Sequence, residues 1–283
     1  ELSKNQAEKE HCRIAEIAAI ISMCGKVTID SRDRYAVKVR TENISVARKC
    51  FTLLEKTFNI EAESLVTINK SKGNTTYTVV VKQHEDAMKL LQAARLVDGD
   101  GEISEEFSTS RNMIVHKSCC KRAFLRGAFL ASGSMSHPEK SYHIEMVCAS
   151  KAKAEQIQKL INSFGLDAKV ILRKNSYVVY LKEGSQIVDL LNIMEAPIAL
   201  MEMENVRILK EMRNSVNRKV NCETANINKT VSAAAKQVET ESRNAVTGKF
   251  GNGVGHSVLS VGANMLGSAA GVIGRVQELQ SLL

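Results

Sequence analysis

Side chains suited to metal binding lie close together near residue 116. His116, Cys119 and Cys120 are of the ligand types that zinc prefers. A structural zinc ion needs four such ligands, and the chain has no C-x-x-C spacing that would supply the others. We therefore interpret the seven cysteines as buried free thiols in a reduced cytoplasmic setting. The sequence predicts no metal and no cofactor.

The acidic stretch at residues 98–110 has carboxylates at calcium-loop spacing. Asp98, Asp100 and Glu102 match the first three ligands of such a loop. Ile103 stands where the loop needs glycine, and Thr109 stands where it needs an acid. We interpret the stretch as a linker and not as a calcium site.

Basic residues outnumber acidic ones, with 39 Lys and Arg against 31 Asp and Glu and a net charge of +8. Such an excess favours anionic partners, with nucleic acid ahead of membrane. Residues 111–126 contain no acid. Four cations in this stretch are candidates for phosphate contacts, although a solvated helix face explains the same pattern: Lys117, Lys121, Arg122 and Arg126.

A second group of cations follows Ala199, in a long helical pattern that predicts a connector over residues 198–242. We consider two roles for this connector, contact with nucleic acid and a structural bridge between domains. Its candidate nucleic-acid-binding residues are Arg207, Lys210, Arg213, Arg218, Lys219 and Lys229.

The chain contains an internal duplication. Residues 17–25 (IAAIISMCG) align without a gap on residues 125–133 (LRGAFLASG), at an offset of 108 residues. Alternating strand patterns and amphipathic helical patterns then recur in the same order, helix, strand, strand, helix, strand, strand, helix. The repetition predicts one pseudo-two-fold α+β domain whose halves are residues 1–97 and 111–197.

Small residues fall in register on the first helix of each half. Ala15 and Ala19 align with Ala123 and Gly127, and Ala131 continues the series. Their four-residue spacing predicts that the two helices pack closely side by side. A glycine inside a helix costs about 1 kcal/mol relative to alanine, which close packing can offset.

Paired helices that end in glycine and begin αββαββ repeats resemble the LAGLIDADG homing-endonuclease fold. The resemblance implies that the two helices meet at the pseudo-two-fold axis and that the sheets contact duplex DNA. In active members, the eighth motif residue is an acid that holds divalent metal, and here those positions are Cys24 and Ser132. A thiol and a hydroxyl do not replace charged oxygen ligands. We therefore expect no catalytic residues and no nuclease activity.

Two longer segments, residues 119–147 and 199–230, are similar to the WhiA family of bacterial transcription and cell-division regulators. The resemblance covers most of residues 1–242. It implies a degenerate LAGLIDADG-like domain followed by a C-terminal helix-turn-helix domain that reads DNA. It also implies double-stranded promoter DNA as the partner, a nucleoid-associated location in the cytoplasm, and roles in cell division, chromosome segregation and sporulation.

The C-terminal residues 243–283 depart from this family pattern. They are rich in glycine and show no recognisable helix-turn-helix pattern. We expect an atypical tail there and no membrane association. Two functions remain open from the sequence, a DNA-binding regulator and a protein-interaction scaffold that recruits a regulatory partner without reading DNA.

Overall fold

The computed structural model describes residues 1–31, 34–69, 73–97 and 114–246. The chain forms two compact units, Glu1–Arg207 and Ile208–Leu283. The acidic linker with its calcium-like spacing, and the tail beyond residue 246, lie outside the described residues.

The first unit contains the two predicted halves in the predicted element order, which confirms the α+β duplication. The first half consists of α1 (Glu10–Cys24), β1 (Gly25–Ile29), β2 (Tyr35–Thr41), α2 (Ile44–Phe58), β3 (Glu63–Asn69), β4 (Asn74–Val81) and α3 (His84–Ala93). The second half consists of α4 (Ser118–Ser132), β5 (Gly133–Met135), β6 (Ile144–Cys148), α5 (Lys151–Asn162), β7 (Lys169–Arg173), β8 (Ser176–Leu181) and α6 (Gly184–Ile193). A last helix, α7, spans Pro197–Val246.

Each half has one antiparallel four-stranded sheet, with strand orders β1-β2-β4-β3 and β5-β6-β8-β7. Side chains alternate between the two faces of a strand. In β2, Val37 and Val39 are therefore buried on the inner face, whereas Lys38 and Arg40 are exposed on the outer face.

Helices α1 and α4 pack against each other along their length and point in the same direction. His11 contacts Cys120 near their N-terminal ends, and Glu16 and Ala19 approach Gly127 further along. Ala15, Ala19 and Ala123 are fully or almost fully buried, and Ala131 is half-buried. The two helices therefore lie against each other through their small residues.

Gly127 is the point of closest approach. A Cβ atom at this position would lie 2.4 Å from the backbone oxygen of Glu16 and 3.1 Å from the Cβ atom of Ala19. The backbone of α1 therefore occupies the space that any side chain at residue 127 would need.

The core of each half packs on one side of this helix pair. Ile17, Ile20 and Ile21 of α1 belong to the core of the first half. Ala15 and Ala19, on the same helix, pack into the core of the second half. Helix α1 thus contributes to both cores.

The second unit is described from Ile208 to Val246, where it is helical throughout. Several large apolar side chains on it are exposed, among them Ile208, Leu209 and Met212. Across the described residues, no helix combines the length and the apolar character that a membrane span requires.

The Gly127→Ala substitution tests the close approach of α1 and α4. Alanine raises helix propensity by about 1 kcal/mol, but its methyl group clashes with the backbone of α1. We expect the free energy of unfolding to fall by about 1–3 kcal/mol in urea titrations followed by circular dichroism.

Gly184→Ala is the matched control, because a Cβ atom there would lie 3.3 Å from its nearest neighbour, a ring atom of Tyr142. We expect a change below about 1 kcal/mol for this variant. A net stabilisation by Gly127→Ala would contradict the close approach.

Candidate functional site

The two positions that hold acids in active LAGLIDADG enzymes are the last residues of α1 and α4. The Cys24 thiol donates a hydrogen bond to the Ile20 carbonyl oxygen at 3.2 Å, and the Ser132 hydroxyl donates to the Ala128 carbonyl oxygen at 3.2 Å. Burial raises the pKa of Cys24 to about 12. Both groups are therefore neutral near pH 7 and offer no negative charge to a divalent cation.

Potential metal ligands gather at the opposite, N-terminal ends of these helices. Within the described part of the chain, one group of three or more His, Cys, Asp or Glu side chains could hold an ion, and it consists of His11, Cys12, Cys119 and Cys120. The sequence places His116 near Cys119 and Cys120, but in the structure His116 is not a member of this group. The sequence predicts no metal site because His11 and Cys12 lie more than 100 positions from Cys119 and Cys120.

The middle of the helix pair contains a buried network of charged groups. Arg126 of α4 donates to both carboxylate oxygens of Glu16 on α1, from Nε at 3.0 Å and from Nη2 at 3.2 Å. The Lys49 Nζ atom of α2 lies 3.2 Å from the same carboxylate. Arg126 also donates from Nη1 to Glu195 at 2.6 Å. The network joins both halves of the domain and contains two positive and two negative groups.

The N-terminal segment completes this network. The Asn5 side chain donates to the Glu195 carboxylate at 3.1 Å, and Lys49 donates to the Asn5 carbonyl oxygen. Burial lowers the pKa of Lys49, although the Glu16 carboxylate opposes this shift. For Arg126, burial also acts against the charge, but hydrogen bonds and charge attraction from Glu16 outweigh it and raise the pKa.

These contacts correct one predicted DNA-binding residue. The Arg126 side chain is 2% exposed and its guanidinium group is held by two carboxylates, so it has no free surface for a phosphate. The sequence could not distinguish this arginine from its exposed neighbours, because the pairing with Glu16 spans 110 positions.

The other cations predicted near α4 lie at or near its start. Lys117 and Arg122 are exposed, whereas Lys121 is half-buried and donates to the Ser163 hydroxyl at 3.1 Å. These three residues remain candidates for phosphate contact.

The predicted cations of α7 fall in both units. Arg207 ends the first unit and pairs with Glu204 at 3.1 Å. In the second unit Lys210 is half-buried, and the remaining four are exposed: Arg213, Arg218, Lys219 and Lys229.

A further group of cations, absent from the sequence-based predictions, lies on the outer face of the first sheet. Lys26 of β1 pairs directly across from Lys38 of β2, and Arg40 follows Lys38 on the same face. All three are exposed, and none forms an ion pair with a described residue. Like charges opposite each other in a sheet are destabilising. We call Lys26, Lys38 and Arg40 the basic strip.

The second sheet has no such strip at the equivalent positions. Ser134, Glu145 and Val147 stand there, and Ser134 donates to the Glu145 carboxylate at 3.4 Å. Glu145 also lies 3.0 Å from His143 and 3.7 Å from Arg173. The hydrogen bond from His143, with the charges of both neighbours, lowers the pKa of Glu145. The two sheets therefore differ in charge at these three positions.

A cleft of about 520 Å³ adjoins the basic strip at the end of α4. Arg40, Asn43 and Thr76 line it from the first half, and Leu130 and Gly133 line it from the second. One cation of the strip therefore faces the place where a LAGLIDADG motif helix ends.

Two αββαββ units around a close-packed helix pair, with neutral groups at the acid positions, define a degenerate LAGLIDADG-like domain. Family models agree with this class. The model of the WhiA N-terminal LAGLIDADG-like domain matches residues 10–97, and that of the WhiA LAGLIDADG-like domain matches residues 121–213.

Two named relatives are similar over most of the chain. A "Probable cell division protein WhiA" from Lachnoclostridium phytofermentans is 55% identical over 240 residues, which cover 84% of this chain and 76% of the relative. One from Clostridium perfringens strain 13 is 48% identical over 242 residues, covering 85% and 74%. The chain belongs to the WhiA family.

A solved structure shows the same fold. Full-length DUF199/WhiA from Thermatoga maritima superposes with a TM-score of 0.61 at 22% identity, covering 84% of this chain and 74% of that one. The model of the WhiA C-terminal HTH domain matches residues 216–251. Most of this match lies within the predicted connector, residues 198–242, and only its last residues reach the C-terminal stretch in which the sequence shows no helix-turn-helix pattern. The structure describes residues 216–246 of that match, within α7.

The Glu16→Gln substitution tests the buried network. It leaves the charges of Arg126 and Lys49 without their shared carboxylate, and losing one member of a buried ion pair costs about 3–5 kcal/mol. We expect a loss of this size in the free energy of unfolding measured in urea. Glu55→Gln, on the exposed face of α2, serves as the control and should change stability by less than about 0.5 kcal/mol. Equal effects of the two substitutions would refute a structural role for the network.

Proposed function

We propose that this protein is a DNA-binding regulator of transcription that acts in cell division, and that it binds duplex DNA without cleaving it. The observation that carries the proposal is the basic strip, because three exposed cations lie side by side on one sheet face and form no ion pair with the described residues. Such a face attracts phosphates, whose negative charge relieves the repulsion between Lys26 and Lys38.

The proposal places this DNA contact in the first half alone. At the equivalent positions of the second half, His143 and Arg173 hold the Glu145 carboxylate in place. The negative charge of this carboxylate would repel a phosphate. A duplex that lies across the domain would therefore bind chiefly at β1 and β2. Lys117, Lys121 and Arg122 near the start of α4 remain a separate, weaker candidate set.

The second unit supplies the other proposed contact. Residues 208–246 expose Arg213, Arg218, Lys219 and Lys229, and the last three belong to the stretch that matches the WhiA HTH domain. Phosphate contacts fix a protein on DNA, whereas contacts with base edges give sequence specificity. We assign sequence reading to this unit and non-specific affinity to the basic strip.

We expect the protein to bind promoter DNA. A protein bound to promoters would be located at the nucleoid, in the cytoplasm. The same role would connect the protein to chromosome segregation and sporulation. The cell-division part of this role is supported by the two relatives, each of which is a "Probable cell division protein WhiA".

A protein-interaction scaffold is the second candidate function. It is favoured by β3, an edge strand on which Leu65, Val66 and Ile68 are between 51% and 67% exposed. Exposed apolar strand edges can pair with a partner chain. In this alternative, a regulatory protein binds at this edge and the chain itself does not read DNA.

Replacing the three residues of the basic strip with Gln should weaken DNA binding. Each lost phosphate contact reduces the slope of log affinity against log salt by about 1, so we expect a reduction of about 2–3. The measurement is fluorescence anisotropy of a labelled duplex titrated with the full chain at several salt concentrations.

The matched control replaces Lys140, Lys151 and Lys159, three exposed lysines of the second half, with Gln. This replacement removes the same total positive charge as the strip variant. The control should keep most of the salt dependence. An identical response of both variants would show that net charge alone drives binding. No binding by the unaltered chain at low salt would favour the scaffold.

Duplex DNA should remain intact in the presence of magnesium. Hydrolysis assisted by two metal ions needs charged oxygen ligands, and Cys24 and Ser132 are neutral. We expect supercoiled plasmid to show no nicking above buffer controls on agarose gels. Nicking that exceeds that of a mock purification from cells without the protein would contradict the proposal.

A further inference from the structure

Four metal-ligating side chains converge at the N-terminal ends of α1 and α4. The ligand atoms of His11, Cys12, Cys119 and Cys120 all lie within 4.8 Å of one another. The His11 Nδ1 atom is 3.1 Å from the Cys120 sulfur and 3.3 Å from the Cys12 sulfur. Cys12 and Cys120 are buried, while His11 and Cys119 are half-buried. All seven cysteines are free thiols in the structure.

The duplication explains why these residues meet. At the offset of 108 that relates the two helices, His11 aligns with Cys119 and Cys12 aligns with Cys120. Equivalent positions on two helices that pack around a pseudo-two-fold axis face each other across that axis. The cluster therefore consists of the same two helix positions taken from both halves.

The local backbone favours negatively charged ligands at this place. The N-cap residues of the helices are Lys9 and Lys117, and neither accepts a hydrogen bond through its side chain. The four ligands are the second and third residues of their helices, where the helix dipole favours negative charge. Burial nevertheless raises the pKa of Cys12 to about 12 and also raises that of Cys120, so these thiols lose their protons only when a bound cation displaces them. Two helix ends without side-chain caps thus meet at one group of sulfur atoms.

We propose that His11, Cys12, Cys119 and Cys120 bind one zinc ion, which joins the two halves of the domain at the N-terminal end of the helix pair. Three sulfurs and one imidazole nitrogen are a common set for structural zinc. Bond lengths of about 2.3 Å to sulfur and 2.0 Å to nitrogen place tetrahedral ligands about 3.5–3.8 Å apart. The observed separations require only small side-chain movements to reach this geometry.

The charges and the access route also suit zinc. Three thiolates and Zn²⁺ together carry one negative charge, which Lys9 and Lys117 beside the cluster can balance. The three thiol protons pass to solvent on binding, and His11 binds through the neutral Nδ1 atom. A cleft of about 260 Å³, lined in part by His11, His116, Lys117 and Cys120, gives the ion an entry path.

The zinc ion would have a structural role. Its four ligands leave no open position for a water or a substrate, unlike a catalytic zinc. The ion would lie at the opposite end of the helix pair from Cys24 and Ser132, so it cannot take part in cleavage there. It would instead connect α1 to α4 beyond the buried network of Glu16 and Arg126.

Zinc content of the purified full chain tests this proposal. The protein is reduced, incubated with zinc chloride, desalted and analysed by elemental mass spectrometry. We expect one zinc per chain. The Cys119→Ser and His11→Ala variants should lose bound zinc at least about tenfold at equal free zinc, whereas Cys222→Ser, at an exposed cysteine of the second unit, should keep it. Circular dichroism verifies that each variant is folded.

Cobalt substitution gives a readout that needs no variant. A Co²⁺ ion in this site should show the intense visible bands of tetrahedral cobalt together with thiolate charge-transfer absorption. Bound cobalt without charge-transfer absorption would refute the thiolate ligands. The proposal also fails if the folded, reduced protein retains no zinc.

Discussion

Helices α1 and α4 pack against each other through small residues, and α1 contributes side chains to the cores of both halves. The backbones approach so closely that a Cβ atom on Gly127 would meet the Glu16 carbonyl oxygen. Such contact leaves little side-chain volume with which to fix the register of the two helices. The bidentate pair between Arg126 and Glu16, with Lys49 against the same carboxylate, fixes it instead. Directional hydrogen bonds between buried charges can specify register even where they add little net stability.

This packing gives the two ends of the helix pair different chemistry. At the C-terminal end, neutral Cys24 and Ser132 each hydrogen-bond within their own helix. At the N-terminal end, equivalent residues of the two halves bring three thiols and an imidazole together. The fold thus retains the symmetry of its duplication at both ends, while the buried network and the basic strip occur once each. The helices and strands of the two halves are therefore related by the pseudo-two-fold axis, whereas the charged groups of the buried network and the basic strip are not.

The duplicated fold could be predicted from sequence because it rests on local periodicity and on a repeat without gaps. Gly127 and the aligned alanines also indicated the helix pair. Contacts between distant residues could not be predicted in the same way. Arg126 looks like its exposed neighbours until its partner Glu16 is known, and the His11 and Cys12 ligands lie in the other half of the chain. The basic strip was missed because cations on alternate strand positions resemble any solvated face until the strand pairing places Lys26 opposite Lys38.

A double-mutant cycle between Glu16 and Arg126 tests most directly whether the buried pair holds the two halves in register. Free energies of unfolding are measured in urea for the unaltered chain, Glu16→Gln, Arg126→Met and the double variant. Our account predicts that each single substitution is strongly destabilising and that the double variant is less destabilised than their sum, by about 2–3 kcal/mol. Additive effects, with a coupling energy below about 0.5 kcal/mol, would contradict the account.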